Sequence, residues 1–286
     1  MKQPLLKVVL AFCIFSQYTF AQQAPVSPEK YTAHNKGKFY FYYGGNRESY
    51  SRSDINFTGN GYNFTLYDVA AHDKPKGWHM DYVNPTKMTI PQTNFRIGYF
   101  INDHYNINFG FDHMKYVMTQ FQTANANGYI DLPNTDPGSA YNGIYNNVPV
   151  VMNEDFLTFE HTDGLNYINV GFARVDDLSK YLGINNTDKI QVNITEGVDG
   201  GVLYPKTNAM VLGKPRHDDF HIAGYGVGAK AGLNITFFKY FFVQAELKQG
   251  YINMSDIRTT HEGADRASQH FTFTQRIIAF GGIFKL

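Results

Sequence analysis

The chain has 286 residues with 25 basic and 25 acidic side chains, so its formal net charge is zero. Zero charge gives no electrostatic reason to expect nucleic-acid binding. No run of about 18 apolar residues follows the N-terminal region, which excludes transmembrane helices there. The single cysteine, Cys13, also lies in that region, so the rest of the chain has no disulfide and no thiolate metal site. With 24 Phe, 21 Tyr and 26 Gly, the composition favours strands over helices.

The N-terminal segment has the pattern of an export signal. Two lysines precede or flank an apolar run at Val8–Phe15, and Thr19-Phe20-Ala21 has the form of a small-x-small cleavage site. We therefore predict a signal peptide at residues 1–21, followed by a polar periplasmic lead-in at residues 22–37. The sequence Leu10-Ala11-Phe12-Cys13 keeps a lipoprotein signal open as an alternative, with a bulky residue where a small one is usual.

Eight segments after residue 37 alternate between apolar and polar side chains with a period of two, which predicts strands with two unlike faces. In the second segment Phe95 and Ile97 take one face, while Asn94, Arg96 and Gly98 take the other. The predicted strands are Lys38–Tyr43 with an extension toward Tyr50, Asn94–Ile101, Tyr105–Met118, Phe156–Arg174, Ile190–Glu196 with a continuation at Val202–Met210, His221–Phe237, Phe241–Tyr251 and Gln269–Leu286.

The connections that follow even-numbered predicted strands are shorter than those that follow odd-numbered ones. Short connections follow strands two and six and a moderate one follows strand four, whereas long ones follow strands one, three, five and seven. Transmembrane barrels have brief periplasmic turns and long outside loops. A sheet in lipid must also close on itself, because lipid offers no hydrogen-bond partners. We therefore predict an all-β fold, a closed antiparallel up-and-down transmembrane β-barrel of eight strands over residues 38–286. It would lie in the outer membrane with both termini periplasmic.

Two long connections are candidates for surface recognition, since loops on a rigid scaffold often carry binding. The first, Gly44–Pro91, contains a predicted hairpin in which Ile55–Phe57 and Tyr62–Leu66 flank a Gly-Asn-Gly turn. The second, Thr119–Asp155, is rich in Asn, Gly and Pro and is interpreted as another excursion from the barrel. The first function hypothesis is therefore a non-enzymatic barrel whose loops bind another outer-membrane protein, lipopolysaccharide or an external ligand.

Polar and charged side chains fall on the inward face of the predicted barrel. An eight-stranded barrel is narrow enough for side chains to fill its interior, and buried charges persist only when they are paired. The inward residues are therefore expected to bind one another as a packed polar plug, and a narrow pore is kept as a third function hypothesis. The predicted plug residues are Arg96, Asp112, Lys230, Glu246 and Lys248.

The C-terminal residues Gly281–Leu286 end on an apolar residue with an aromatic residue two positions before it. This pattern resembles the strand signal that outer-membrane proteins present to the barrel-assembly machinery, with Leu in place of the usual Phe. In general architecture the chain resembles small eight-stranded OmpA/OmpX-type barrels. The phrases GYFINDHYNINFGFDHMKYVM, FEHTDGLNYINVGF and YINMSDIRTT resemble an outer-membrane barrel family of Bacteroidota-type bacteria. The resemblance implies contact with outer-membrane lipid and lipopolysaccharide, and contact with the assembly machinery during insertion.

One segment carries a second function hypothesis, an acyl hydrolase. His161, followed by Thr162 and Asp163, is similar to the His-x-Ser-Asn segment of the eight-stranded lipid A deacylases, which implies that His161 is a general base at the outer leaflet. Asp163 stands where that family has its hydroxyl, and Thr162 is expected on the opposite face of the strand. Glu196 or Asp199 is the candidate acidic partner.

A structural role is the alternative interpretation of the same segment. In that case His161 and Asp163 only pair with Asp112 and Arg96 in the lumen, as charged clusters in proteins often do.

We predict no cofactor and no metal site. Two loop clusters, His217–His221 and His261–Asp265, contain possible ligands but lack the compact spacing of a catalytic zinc site. They are interpreted as solvated loop polarity.

Overall fold

The structure is a computed structural model that describes residues 33–77, 79–82 and 91–285. The predicted signal peptide, most of the lead-in and the terminal Leu286 lie outside the described residues. Helical structure within the described part is confined to two short 3-10 turns, Met80–Tyr82 and Pro137–Tyr141. In the same part of the chain, no helix has both the length and the apolar character needed to cross a membrane.

Fourteen antiparallel strands make up the fold. In chain order they are β1 (Lys38–Tyr50), β2 (Ser53–Gly59), β3 (Tyr62–Val69), β4 (Ala71–His72), β5 (Thr93–Phe100), β6 (Tyr105–Met118), β7 (Thr123–Ile130), β8 (Gly143–Val151), β9 (Leu157–Asp177), β10 (Ile190–Leu203), β11 (Asn208–Val211), β12 (Gly224–Phe237), β13 (Phe241–Arg258) and β14 (Arg266–Lys285).

Eight of these strands form a closed ring in the order β1-β5-β6-β9-β10-β12-β13-β14. The ring closes because β1 pairs with β14 along its whole length, from Lys38 opposite Lys285 to Tyr50 opposite Phe273. Each barrel strand follows its neighbour in the order of the chain, which confirms the predicted up-and-down barrel of eight antiparallel strands.

The two ends of the barrel differ in their connections. Residues 101–104, 178–189 and 238–240 make the connections at one end, where β1 begins and β14 finishes; we call this the turn end. The opposite end, here the loop end, carries the longer connections. The predicted long connection at Ser255–Ser268 is wrong, since β13 and β14 continue to pair as far as Arg258 opposite Arg266 and leave only residues 259–265 outside strands.

A second set of strands extends the sheet beyond the loop end. β2 pairs with the first residues of β14, and the order continues β2-β3-β7-β8; these four strands are the loop-end sheet. The predicted hairpin at Ile55–Phe57 and Tyr62–Leu66 is confirmed, with Phe57 opposite Phe64. The sequence did not predict β7 and β8, because Thr119–Asp155 has the Asn, Gly and Pro content of a loop.

Large apolar side chains project outward from the barrel strands and remain exposed. They form a band around the ring on its turn-end half, which we call the apolar belt. Its residues are Phe41, Phe95, Ile97, Tyr99, Ile107, Phe109, Val170, Phe172, Ile194, Val198, Val202, Val227, Leu233, Ile235, Phe241, Leu247, Ile278, Phe280 and Phe284.

The barrel interior changes character along the axis. Behind the apolar belt it is mainly polar, as predicted, apart from a small buried apolar cluster of Tyr42, Phe242, Ile277 and Ala279. Towards the loop end it is filled by apolar side chains from the barrel and the loop-end sheet. In this apolar cap Phe57 packs edge-on against Phe159 with ring centroids 5.4 Å apart. The expectation of a polar interior throughout is therefore wrong for the loop-end half. The fully buried cap residues include Ile55, Phe57, Phe64, Leu66, Met114, Tyr116, Phe156, Phe159, Leu165, Leu203, Ile252, Met254, Ile257 and Phe271.

Candidate functional site

Four charged side chains from four strands meet at the centre of the barrel. Lys248 Nζ lies 2.8 Å from Asp112 Oδ2 and 2.9 Å from Asp199 Oδ1. Arg96 lies farther away, with its Nη atoms 3.7 Å from Asp112 and 3.9 Å from Asp199. We call these four residues the charge network. Its two cations and two anions are almost completely buried, so each charge depends on the others for compensation.

Amide and hydroxyl groups complete the network. Asn94 donates a hydrogen bond to Asp112 at 2.7 Å, and the hydroxyl of Tyr167 donates to Asp199 at 2.9 Å. The guanidinium of Arg96 donates to Asn108 at 2.7 Å. Room for the guanidinium comes from Gly110, where a Cβ would lie 2.8 Å from Arg96 Nη2. A larger residue at this position would displace Arg96 or Asn169, so the glycine makes room for the network.

A second ion pair lies nearer the turn end. Lys230 Nζ and Glu246 Oε2 are 3.7 Å apart, and both residues border a cavity of about 60 Å³. The cavity is also lined by the polar Asn106 and Gln244 and by the apolar Phe242 and Ile283, so its wall is mixed. The volume is enough for a few water molecules and is far below that of a pocket for a drug-sized ligand.

All five predicted plug residues thus face the interior, but in two groups. Arg96, Asp112 and Lys248 belong to the charge network, whereas Lys230 and Glu246 border the turn-end cavity. Asp199 is the network member that the sequence interpretation assigned elsewhere, as a possible catalytic acid. Asp199 has the same parity on β10 as Gln191, Asn193 and Thr195, and this shared face was the sequence signal for an inward position.

His161 lies in the apolar cap and is completely buried. Its Nδ1 atom is 3.0 Å from the Thr207 hydroxyl, and its Nε2 atom is 3.1 Å from the Gln269 side-chain amide nitrogen. Because the amide nitrogen is a donor, Nε2 accepts that bond, and Nδ1–H donates to Thr207. The rings of Tyr116 and Phe159 lie 5.7 Å and 5.0 Å from the imidazole. This histidine contacts a hydroxyl, but the pair is sealed from solvent.

The other residues of the predicted hydrolase do not join His161. Thr162 donates to Glu160 at 2.9 Å, and Asp163 is exposed. The expectation that Asp163 shares the face of His161 is wrong, because β6 and β9 shift register between Met114 and Tyr116 and Gly164 has a φ of 148°. The alternation of inward and outward side chains along β9 is therefore interrupted after His161, and Asp163 faces outward.

Neither candidate acid approaches the histidine. Asp199 is held in the charge network, and Glu196 lies opposite Arg174 near the turn end of β9. Triad chemistry requires a base within hydrogen-bond reach of both the nucleophile and the acid. The structural interpretation of this segment holds for Asp112 and Arg96, which pair through the charge network, but not for His161 and Asp163.

The loop-end sheet ends in an open edge. Within the described part of the chain, β8 pairs on one side, with β7, and has no strand on the other. Its apolar side chains Ile144, Val148 and Val151 are 87%, 40% and 50% exposed. An exposed edge strand offers unpaired backbone groups to an incoming strand. Pro149, which lacks an N–H, limits how long such a pairing can be.

No protein-family model matches the chain, and no curated protein matches its sequence. Its structure is similar to solved outer-membrane β-barrels. With Ail, the attachment invasion locus protein of Yersinia pestis, the identity is 11% and the TM-score 0.32, over 87% of this chain and 99% of that one. With the outer membrane protein OprG from Pseudomonas aeruginosa the values are 9% and 0.37, over 91% and 100%. With LpxR from Salmonella typhimurium they are 6% and 0.23, over 85% and 99%. At such identities and TM-scores the likeness concerns the fold alone and bears on neither substrate nor partner.

Proposed function

We propose that the chain is an integral outer-membrane β-barrel that binds a protein partner through its loop-end sheet and catalyses no reaction. The observation that carries the first part is the inverted barrel: apolar side chains are exposed on the outside while charged side chains are buried inside. In water this arrangement is unfavourable on both counts. In a bilayer, lipid covers the belt, and the closed ring leaves no backbone edge unpaired.

Aromatic side chains at the border of the belt support the membrane assignment. At the turn end Phe39 packs on Tyr99, Tyr105 stacks on Phe172, and Phe41 packs edge-on against Phe284. At the loop end Tyr204 stacks on Phe220. Girdles of this kind mark the two interfaces of membrane barrels. The short connections of the turn end would then face the periplasm with both termini, and the loop-end sheet would face outward.

The open edge of β8 supports the binding part of the proposal. A partner that adds an extended segment to this edge would gain backbone hydrogen bonds, and the exposed Ile144, Val148 and Val151 would gain apolar contact. A polypeptide is therefore favoured over lipopolysaccharide as the partner, because only a polypeptide can extend the sheet. Contact with the barrel-assembly machinery remains an additional expectation for the insertion step.

The hydrolase hypothesis gains no support from the site. His161 is buried between aromatic rings and its bonding groups are satisfied by Thr207 and Gln269. The pore hypothesis gains no support either, because the charge network and the apolar cap both fill the interior along the barrel axis.

The membrane part is tested by the gel migration of the unheated and boiled chain, extracted from outer membranes. A folded barrel migrates differently before boiling, and identical migration of the two samples would argue against it.

The binding part is tested by gentle detergent extraction and capture with three chains: wild type, the double variant Ile144→Asp/Val148→Asp, and Tyr181→Asp. Tyr181 is 86% exposed at the turn end and serves as the matched control. We expect the same partner with wild type and the control, and its loss with the double variant. Purification without any partner, or an unchanged partner with the double variant, would contradict the proposal.

A further inference from the structure

Three possible metal ligands meet where two loop-end connections touch. His217 and Asp219 come from the connection between β11 and β12, and His261 comes from the connection between β13 and β14. One ligand atom from each residue lies within 4.8 Å of the other two, and the two imidazole centroids are 5.5 Å apart. His261 is more than 40 positions from the other two residues, so the fold brings it to them.

Contacts beside the cluster hold the two connections in place. The backbone N–H of His217 donates to the carbonyl of Thr259 at 3.0 Å. Lys214 Nζ binds both oxygens of the fully buried Asp265 at 3.1 Å and 3.0 Å, and the Thr260 hydroxyl donates to the same carboxylate at 2.8 Å. These contacts hold the two connections together without using any of the three possible ligand atoms.

The backbone turns sharply between the two ligands on the first connection. Asp218 has a φ of 57°, in the left-handed region that Asp tolerates better than most residues. Its own carboxylate binds Arg216 at 3.1 Å and lies 3.4 Å from Lys206. Asp218 thus turns the chain so that His217 and Asp219 approach each other, while its own charge is compensated elsewhere.

The ring of His217 is incompletely bonded. Its Nδ1 atom is buried and makes no well-formed hydrogen bond to any described residue, although the ring lies beside the backbone of Asp219. The neighbouring His221, which the sequence groups with this cluster, is engaged elsewhere, since its Nε2 atom lies 2.8 Å from Asp256. A buried imidazole nitrogen whose contact with a backbone group is poorly aligned is an arrangement that a metal ion on that nitrogen would improve.

We propose that His217, Asp219 and His261 bind a divalent transition-metal ion of the zinc type at the loop end. Two imidazoles and a carboxylate are ligands that zinc accepts, and three protein ligands leave a fourth position for water. Ligand atoms around zinc lie roughly 3.3 Å apart, as Zn–N bonds of about 2.0–2.1 Å require. Asp219 and His261 are exposed, so their side chains are free to rotate towards that spacing when an ion binds. The ion would join the connections after β11 and β13 and stiffen this part of the surface, whether or not β8 binds a partner.

The test uses the full mature chain without a polyhistidine tag, purified in detergent, with Zn²⁺ in calorimetry and Co²⁺ in absorption spectroscopy. We expect one equivalent of either ion. The variants His217→Ala and His261→Gln should weaken binding by more than the 10- to 100-fold that loss of an outer partner typically causes. The variant Lys214→Met removes a contact that holds the two connections together and touches no ligand, so it should weaken binding less than either ligand variant does.

The exposed His270 provides the matched control, since it lies on β14 away from the cluster and is not one of its ligands. His270→Gln should bind both ions as the wild type does. Each variant is checked for the gel migration of the folded barrel, and His261 is exposed enough that its replacement should leave the fold intact. Absence of stoichiometric binding by the folded wild type would overturn the proposal, as would equal binding by folded His261→Gln.

Discussion

The two halves of the barrel interior use the same strands for opposite purposes. Behind the apolar belt the interior contains the charge network of Arg96, Asp112, Asp199 and Lys248, whereas beyond the belt the same strands enclose Phe159, Leu165 and Met254. The outside changes in the opposite sense. Where lipid would take the apolar side chains, polar ones turn inward, and where water surrounds the barrel, the interior becomes an ordinary apolar core. The polarity of the interior is thus set by what lies outside.

Removal of the central cation should have the largest effect on this arrangement. Lys248→Met leaves Asp112 and Asp199 buried without their closest partner, and breaking a buried pair in this way typically costs about 3–5 kcal/mol. The free energy of unfolding, measured by denaturant titration in lipid vesicles, should fall by that amount. Lys189→Met, at an exposed position, should change it by less than about 0.5 kcal/mol.

The double variant Lys248→Met/Asp199→Asn refines the same test. Asp199→Asn removes one of the two carboxylates that Lys248→Met leaves without a partner. It should recover part of the lost stability, because Lys248 and Asp199 contact each other directly. Strict additivity of the two changes would show that the charge network is not a coupled unit.

A charge placed on the apolar belt should lower the free energy of unfolding nearly as much as Lys248→Met does. The loss is expected only when lipid surrounds the belt. Val198 is 58% exposed on the belt, and Val198→Arg should destabilise the barrel by about 2–4 kcal/mol in vesicles. The matched change Ile144→Arg lies on the loop-end sheet and should stay within about 0.5 kcal/mol. Equal, small effects at both positions would mean that the belt faces water.

A smaller loss is expected in the apolar cap. Ile55 is completely buried on β2, and Ile55→Val should cost about 0.5–1.5 kcal/mol by removing one methylene from a packed core. Ile144→Val, at an 87% exposed position, should have almost no effect. A negligible effect at Ile55 would show that the cap is loosely packed and does not seal the loop end.

The smallest effect on stability is expected from removal of the Asp103 carboxylate, which lies in water at the turn end. Asp103 accepts the backbone N–H groups of Asn35 and Lys36, both at 2.9 Å, and these bonds hold its pKa below the ordinary value for aspartate. The stabilisation is therefore complete above the ordinary pKa and is lost as the pH falls through the lowered one. Amide protection at Asn35 and Lys36 should follow that titration in the wild type and be reduced at neutral pH in Asp103→Asn. The exposed Asp155→Asn should leave it unchanged.

The sequence predicted the part of the fold in which local pattern and surroundings agree. Alternation located all eight barrel strands and turned Arg96, Asp112 and Lys248 inward. It did not predict the apolar cap, because period two separates two faces but does not say whether lipid or water lies beyond the outer one. Residues such as Leu165 and Met254 alternate just as the lumen residues do.

Features that depend on distant pairing were also beyond the sequence. The register shift beside Gly164, which separates Asp163 from His161, depends on how β6 pairs with β9. Strands β7 and β8 form because β3 offers them an edge, although their own composition is that of a loop. The approach of His217 to His261 follows from two connections at one end of the ring and leaves no local signal.

The seam between β1 and β14 has a consequence for the timing of folding. Its partners are almost the first and last described residues, since Lys38 lies opposite Lys285, and β2 also needs β14 as its neighbour. Neither structure can be completed until β14 is in place, so an unclosed chain, or one that lacks β14, would carry two unsatisfied edges at once. Such long-range closure makes for slow folding. The unfinished polypeptide would therefore need protection from aggregation during that interval.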